Sequence, residues 1–351
     1  MTVELWTSGV GLPRSTVRQA RQAEDEGWDG LGLVDSQNLA GDPYVELALA
    51  AGATTTLRLA TAVTNPVTRH PAVAATAIAT VQGESGGRAV LGIGRGDSAL
   101  AHLGLSPAPV RVFERYLARL QGYLRGEEVE FDVETDGGGE VRSSSALGMA
   151  GGPTSSRLRW LRPTQPKVPV DVAATGPKVI AAGARHAERV TFAVGVSAER
   201  ISWAADVARS VRADVELGAY VPILVHPDRA EARRLIAGAV GSYARFSVMH
   251  GSVAGPVPDD QRERLEAVHD AYDMGAHFSH GSPQSKELDD GVIDAFGIAG
   301  PAGYCVEKIL ELESLGIRRI FAMGTGIGLD REDAMASRQR LVSEVLPAVR
   351  G

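Results

Sequence analysis

Eight short apolar segments, each followed by a segment of helical character, constrain the fold of this chain more than any other feature. The apolar segments have strand length and show no polar alternation, which is typical of parallel strands buried on both faces. Asp42-Pro43 and Gly27 are examples of the residues that mark where the intervening helices begin and end. The predicted strands are residues 3–6, 30–34, 57–63, 89–93, 168–173, 189–193, 215–221 and 318–322.

Eight β/α units in one chain predict an α/β fold of the TIM (β/α)8 barrel class. The alternative, an open doubly wound sheet, usually carries a glycine-rich phosphate turn after its first strand. Residues 6–9, Trp-Thr-Ser-Gly, do not have that pattern. We therefore predict a single barrel domain over 1–351, with insertions at about 126–166 and 251–300. The first insertion is expected to pair 129–133 with 157–161 in a hairpin, and the second to contain a helix over 261–272.

Composition and charge exclude several classes of protein. Cys305 is the single cysteine, so the chain has no internal disulfide and no cysteine-rich metal site. The net charge of −7 argues against nucleic acids and anionic membranes as partners. The first residues lack the signature of a signal peptide, and no apolar run has membrane-spanning length. We expect a cytoplasmic protein that acts on a small molecule.

Two glycine-containing stretches match enzyme motifs in the wrong context. Residues 83–87 fit the Gly-x-Ser-x-Gly pattern of hydrolases, but that motif needs a strand before it and a helix after it, and the predicted order here is reversed. Residues 92–97, Gly-Ile-Gly-Arg-Gly-Asp, lack the last glycine of a dinucleotide fingerprint. At the end of a barrel strand these glycines let a planar ligand lie against the backbone, and Asp97 offers a carboxylate to its ring or caps the next segment.

Two loops after predicted strands favour ligand binding at one end of the barrel. Residues 64–71 form a polar loop that contains two prolines. The loop is either a rigid connection between strand and helix, or it places Thr64, Asn65 and Arg69 around a ligand at the barrel mouth. Residues 174–178, Ala-Thr-Gly-Pro-Lys, open a helix, where free backbone N–H groups and a lysine favour a phosphate. Four histidines of the second insertion lack the carboxylates of a metalloenzyme motif, so no metal is expected.

Taken together, these stretches resemble the luciferase-like superfamily of flavin- and deazaflavin-dependent barrel enzymes. The chain is most similar to its methylenetetrahydromethanopterin reductase-like branch, which uses the deazaflavin coenzyme F420. The matching residues are Asp35 after the second strand, 63–71 after the third, 85–97 at the fourth, 173–178 at the fifth and 296–301 before the last barrel helix.

The resemblance implies hydride transfer between F420 and a small organic substrate, and a homodimer formed through helices near the second to fourth strands. It also implies a cis peptide bond at Ala62–Val63, behind the cofactor ring. The expected cofactor contacts are Trp6, Ala62, Val63, Thr64, Asn65, Gly94, Gly96, Ala174, Thr175, Gly176, Pro177 and Lys178, and the expected substrate contacts are Thr7, His250, His277 and His280.

One position departs from the family pattern. Deazaflavin relatives often carry histidine directly after the aspartate of the second strand, whereas this chain has Ser36. Serine cannot act as a general acid near neutral pH, so a proton would come from Asp35, Asp97 or a histidine of the second insertion. Asp35, Ser36 and Asp97 form the predicted catalytic set. Two alternatives stay open: an FMN-dependent monooxygenase that uses dioxygen, and a flavin-binding barrel without catalysis.

Overall fold

The computed structural model describes residues 3–132, 148–149 and 151–351, and within them the chain forms a closed parallel barrel. Strand β11 pairs with β1, and β8 pairs with β9, which closes the ring. The TIM barrel prediction is confirmed. In chain order the strands are β1 (Glu4–Gly9), β2 (Gly30–Leu33), β3 (Arg58–Thr61), β4 (Ala89–Ile93), β5 (Val129–Glu130), β6 (Ser155–Ser156), β7 (Val170–Ala174), β8 (Arg189–Phe192), β9 (Glu216–Val225), β10 (Ile298–Gly300) and β11 (Arg319–Met323); all but β5, β6 and β10 form the barrel.

Helices surround the barrel, and several begin where the sequence predicts. Asp42 caps its helix by accepting from the N–H groups of Tyr44 (2.9 Å) and Val45 (3.2 Å), and proline occupies the first turn of that helix. The helices are α1 (Thr16–Asp25), α2 (Pro43–Ala53), α3 (Pro71–Glu84), α4 (Ser98–Ala101), α5 (Val110–Leu124), α6 (Pro177–His186), α7 (Ala198–Val211), α8 (Arg229–Phe246), α9 (Asp259–Asp270), α10 (Asp290–Phe296), α11 (Ala302–Ser314), α12 (Arg331–Arg340) and α13 (Leu346–Arg350).

Each barrel strand presents alternate side chains to the helices and to the barrel interior. Leu5 and Leu31 pack outward in the main core, whereas Trp6 and Phe321 point inward, with ring centroids 5.2 Å apart. Gly30 faces the Trp6 ring, and a Cβ at that position would lie 2.4 Å from it. The missing side chain at residue 30 therefore makes room for the indole inside the barrel.

The two insertions agree only in part with the sequence-based predictions. A hairpin is present, but β5 pairs Val129 with Ser156, so the predicted second strand at 157–161 is wrong. Leu158 is buried in the main core and Leu161 packs against it, while residues 159–160 form a turn. These leucines therefore contribute to the core and not to a strand. Residue 133 of the predicted first strand lies outside the described residues. In the second insertion α9 confirms the predicted helix, and β10, which pairs with the last three residues of β9, was not predicted.

Buried charges fill the end of the barrel where the strands begin. Asp171 is 1% exposed and accepts from Thr191 Oγ1 at 2.6 Å. Its other oxygen lies 3.5 Å from Arg319 Nη1 and 3.8 Å from Arg189 Nε. Arg319 also donates to Glu4 at 2.7 Å and lies 4.1 Å from the Trp6 ring centroid. This cluster, which we call the barrel-floor ion cluster, seals the barrel opposite its mouth.

Glu24 should make stability depend on pH in the acidic range. Desolvation acts to raise its pKa, but hydrogen bonds from the backbone N–H groups of Thr56, Leu57 and Thr55 hold the pKa at about 2, below the ordinary 4.5. A depressed pKa stabilises the folded state above pH 4.5, and that contribution is lost as the pH falls toward 2. We expect Glu24→Ala to cost about 1 kcal/mol near pH 7, allowing for solvent screening. Urea unfolding of both proteins should show the difference shrinking between pH 5 and pH 2; a constant difference would contradict this assignment.

Candidate active site

Small residues cover one side of the barrel mouth, where β3, β4, β7 and β8 end. The peptide bond between Ala62 and Val63 is cis, as the resemblance implies. Gly92 lies against this segment, and a Cβ there would lie 2.1 Å from the Thr61 carbonyl oxygen. The inward positions that form this surface, which we call the small-residue floor, are Ala62, Gly92, Gly94, Ala173 and Ala193. A flat ring can approach the backbone closely on such a surface.

Aromatic side chains occupy the other side of the mouth. Tyr243 contacts Phe246 (5.6 Å) and Phe278 (6.3 Å) edge-on. Deeper in the barrel, level with Trp6, Tyr220 stacks on Phe321 with ring centroids 4.8 Å apart. Tyr243 and Phe246 of α8 and Phe278 of the second insertion belong to the same apolar cluster as the small-residue floor. Helix α8 therefore lies across the mouth, where Tyr243 and Phe246 join that cluster.

Asp35 holds the loop that follows β3. Its side chain is 4% exposed and accepts from Thr64 Oγ1 and from Gln37 Nε2, both at 2.6 Å. Burial raises the pKa of this carboxyl, against the opposing hydrogen bond from Thr64. Ser36 follows in a half-buried turn, where its carbonyl accepts from the N–H of Ala40 (3.0 Å). Because both Asp35 oxygens have partners, this geometry favours an orienting role for that carboxylate.

Asn65 presents an unused donor in the loop that follows β3 and lies against Gly96. Its Oδ1 accepts from the N–H groups of Val67 and Thr68, both at 3.0 Å, while its Nδ2 is buried without a partner among the described residues. A buried amide without a partner is costly, and a ligand oxygen would satisfy it. Arg69 differs from the sequence-based expectation, because it pairs with Asp42 and lies 4.6 Å from the Tyr44 ring centroid.

The predicted phosphate loop is open at the start of α6. Gly176 occupies the N-cap position without a side-chain cap, and a Cβ there would meet nothing within 4 Å. Pro177 and Lys178 are exposed, and Thr175 Oγ1 donates to the Ala193 carbonyl at 3.3 Å. These features fit an anion. The side chain of Ala174 packs in the helix-facing core.

Gly94 and Gly96 both lie in the chain that leaves β4. A Cβ at Gly94 would be 3.3 Å from Val63, which packs against the apolar cluster that contains Ala62 and Tyr243. Gly96 has a φ of +85°, and a Cβ there would lie 2.3 Å from Leu100. The glycines therefore allow this loop to pass close to the cis segment.

Two predicted contacts on β1 do not match the structure. The strand runs to Gly9, three residues beyond its predicted end, so Trp6 and Thr7 lie in mid-strand. The Trp6 indole is fully buried, donates to Glu4 Oε2 at 3.1 Å and contacts Arg319 of the barrel-floor ion cluster, away from the mouth. Residues two apart in a strand lie on the same face. Thr7 therefore faces outward with Leu5, which packs against the helices.

The structure brings Asp97 and His277 together at the rim of the mouth. Asp97 forms an ion pair with Arg245 of α8 instead of capping α4. The Arg245 guanidinium lies 4.4 Å from the Tyr272 ring centroid, and the Tyr272 hydroxyl is hydrogen-bonded to His277 Nδ1. Burial lowers the pKa of His277 to about 4, although Asp97 acts to raise it. This imidazole is therefore neutral near pH 7.

The other two predicted histidines lie elsewhere. His250 is exposed just beyond the end of α8. His280 donates its backbone N–H to the Ile327 carbonyl at 2.8 Å, in the loop after β11. Residues 277–280 form turns, with Phe278 at a φ of +60°, so the helix face expected to unite His277 and His280 is absent.

Sequence reasoning did not name Ala193, Arg245 and Tyr272, and it included Ala173 only as the first residue of the matching stretch 173–178. Strand alternation could have indicated the two alanines, because each neighbours a residue that packs outward. Nothing in the sequence joins Arg245 to Asp97, since 148 residues separate them.

The family model described as luciferase-like monooxygenase matches residues 4–319 of the chain. The chain belongs to this family. It is 28% identical over 327 residues to a 5,10-methylenetetrahydromethanopterin reductase from Methanolobus tindarius, covering 90% of this chain and 91% of that protein. The solved coenzyme F420-dependent tetrahydromethanopterin reductase from Methanopyrus kandleri superposes with a TM-score of 0.73, at 22% identity over 99% of both chains. A type II Baeyer–Villiger monooxygenase from Pseudomonas putida, in complex with FMN, gives a TM-score of 0.63 at 15% identity, also over 99% of both chains.

Within the described residues, no helix is long and apolar enough to cross a membrane. The same residues contain no group of three or more His, Cys, Asp or Glu side chains that could hold a metal ion.

Proposed function

We propose that this family member is an F420-dependent oxidoreductase that transfers hydride between the deazaflavin and a small organic substrate. The observation that carries the proposal is the buried, unpartnered Nδ2 of Asn65, in the loop that follows the cis segment and lies against Gly96. The reductases among its relatives support the deazaflavin as the ligand.

The residues at the mouth fit such a cofactor. The small-residue floor would support the ring, with Asn65 donating to a polar atom of it, and the open start of α6 would hold the phosphate through Gly176 and Lys178. When bound, F420 supplies or accepts a hydride at C5 of its ring. Tyr243, Phe246 and Phe278 would exclude water from the reacting face.

The rim residues are suited to handle the substrate. We infer that His277, neutral near pH 7 and fixed by Tyr272, hydrogen-bonds a substrate oxygen, and that Asp97 and Arg245 hold the rim in place. This arrangement would replace the histidine that relatives carry at the position of Ser36. Asp35 would act indirectly, because it orients Thr64 beside the cis segment.

The second candidate keeps the site and changes the cofactor. The family model describes monooxygenases, and the Pseudomonas putida structure contains FMN. Reduced FMN reacts with dioxygen and deazaflavins do not do so readily, so oxygen consumption separates the two functions.

We also propose a homodimer formed through α2 and α3. Val45 and Leu49 are 59% and 51% exposed on one face of α2, and Val73 on α3 is 51% exposed. Exposed apolar side chains on neighbouring helices favour association with another protein surface. The cytoplasmic location stays a prediction.

Titration with F420 and, separately, with FMN tests the proposed function. We expect tight binding of F420 and weak binding of FMN by isothermal titration calorimetry. Gly92→Ala should weaken F420 binding about tenfold or more, roughly 1.4 kcal/mol, because the added Cβ would displace the cis segment.

Gly303→Ala is the matched control, since a Cβ at that exposed helical position meets nothing within 4 Å. Melting temperatures of both variants separate a site effect from a folding defect. Tight FMN binding with oxygen uptake by the reduced protein would favour the monooxygenase, and no binding of either cofactor would contradict both functions.

A further inference from the structure

A second pocket, of about 520 Å³, lies at the end of the barrel opposite the mouth. It is bordered by the end of α5 and by the segment that leads into β7, where the parallel strands begin. The pocket is about half open to solvent, and its volume falls in the range of small-molecule sites, roughly 300–1,000 Å³. No acidic residue lines it, although the chain as a whole carries a net charge of −7. Five of its lining side chains are cations: Arg125, Arg157, Arg159, Arg162 and Lys167.

Tertiary contacts fix the walls of this basic pocket. Leu158 is 8% exposed and belongs to the main core, and Leu161 packs against the same core. Gln165 donates from Nε2 to the Ala79 carbonyl at 2.8 Å. Gly126 turns the chain at the end of α5 with a φ of +73°. The pocket is therefore part of the folded domain.

Three of the five cations have carboxylate partners and two do not. Arg125 pairs with Glu127 (2.5 Å), Arg157 with Glu128 (3.3 Å) and Lys167 with Glu188 (2.7 Å).

Arg159 and Arg162 are exposed, and neither forms a side-chain hydrogen bond or ion pair within the described part of the chain. Cations near the end of a helix often neutralise its terminal carbonyls. Neither arginine bonds a carbonyl of α5, so that role does not account for them.

We propose that the basic pocket binds a phosphorylated small molecule with a flat apolar group, which is the chemistry of a nucleotide. Guanidinium groups bind phosphate oxygens through paired hydrogen bonds, and the two unpaired arginines stand ready to do so. The half-buried Leu161 and the exposed Pro163 offer an apolar surface to the flat group. The proposal does not depend on the cofactor at the mouth, because the two sites lie at opposite ends of the barrel.

Calorimetric titration of the full chain with ATP tests the proposal, with pyrophosphate and adenosine as its separate parts. We expect one ATP to bind per chain, more weakly at 200 mM than at 50 mM NaCl, with pyrophosphate weaker than ATP and adenosine weaker still. The double variant Arg159→Ala/Arg162→Ala should weaken ATP binding about tenfold or more, since each arginine loses charge-assisted hydrogen bonds to phosphate. Arg21→Ala/Arg331→Ala is the matched control, because it removes two exposed arginines outside the pocket.

Three results would overturn the proposal. The first is the absence of ATP binding at millimolar concentration. The second is binding that Lys178→Ala abolishes while Arg159→Ala/Arg162→Ala does not, which would place the ligand at α6. The third is adenosine binding as tightly as ATP, since the arginines would then have no part in recognition. Melting temperatures of all variants should stay close to that of the wild type, because the substituted side chains are exposed.

Discussion

Asp171→Asn should lower the free energy of unfolding by roughly 3–5 kcal/mol. Asp171 is 1% exposed and, among the described residues, is the carboxylate that pairs with both arginines, 3.8 Å from Arg189 Nε and 3.5 Å from Arg319 Nη1. The asparagine keeps the shape and can still accept from Thr191, so the loss isolates the charge. The buried guanidinium groups of Arg189 and Arg319 would then lose the carboxylate that lies between them, and their positive charges would be less compensated in a region of low dielectric constant. Denaturant unfolding followed by circular dichroism measures the change.

Glu216→Gln is the matched control for the barrel-floor ion cluster. Its side chain also pairs with Arg189 but is 59% exposed, so its removal should cost less than about 1 kcal/mol. If both substitutions cost the same, the cluster would owe its stability to the number of ion pairs and not to burial.

Arg200→Met should cost a similar amount, roughly 3–5 kcal/mol, and should loosen the chain beyond α8. Arg200 is 1% exposed, and its guanidinium donates to the carbonyls of Val194 (2.5 Å), Pro256 (3.0 Å) and Ala254 (3.0 Å) and to Ser247 Oγ (2.7 Å). Methionine would fill most of the volume and leave these acceptors buried without a donor. Hydrogen exchange should accelerate in residues 247–257, and the melting temperature should fall.

Arg209→Met on the same helix provides the comparison. Arg209 is exposed, so its loss should leave exchange in 247–257 unchanged. Arg200→Lys should be intermediate, because an ammonium group can reach only some of the four acceptors. Unchanged exchange in Arg200→Met would show that the segment is held by its apolar contacts alone.

The barrel was predictable because its strands are buried on both faces and several helices begin at a local signal such as Asp42-Pro43. The small-residue floor was partly predictable as well, since Gly92, Gly94 and the Ala62–Val63 bond lie in stretches with a recognisable pattern. Errors arose where pairing extended a polar strand end: Thr7 and Ser8 continue β1 only because β2 and β11 lie alongside.

The rim of the site was not predictable from the sequence. Arg245 reaches Asp97 because α8 crosses the mouth, and no local property of α8 specifies that direction. His277 was named among the candidates, but its partner Tyr272 emerged only from the fold. Long-range contacts of this kind depend on how the second insertion docks.

The pairing of β1 with β11 has a consequence for biosynthesis. Arg319 donates across this seam to the carboxylate of Glu4, which lies 315 positions earlier in the chain. On the ribosome, β1 emerges before β11 and keeps one edge unpaired until β11 has been made. An unpaired edge can recruit strands from other chains. Conditions that slow translation of the last third of the chain should therefore raise the demand for chaperones.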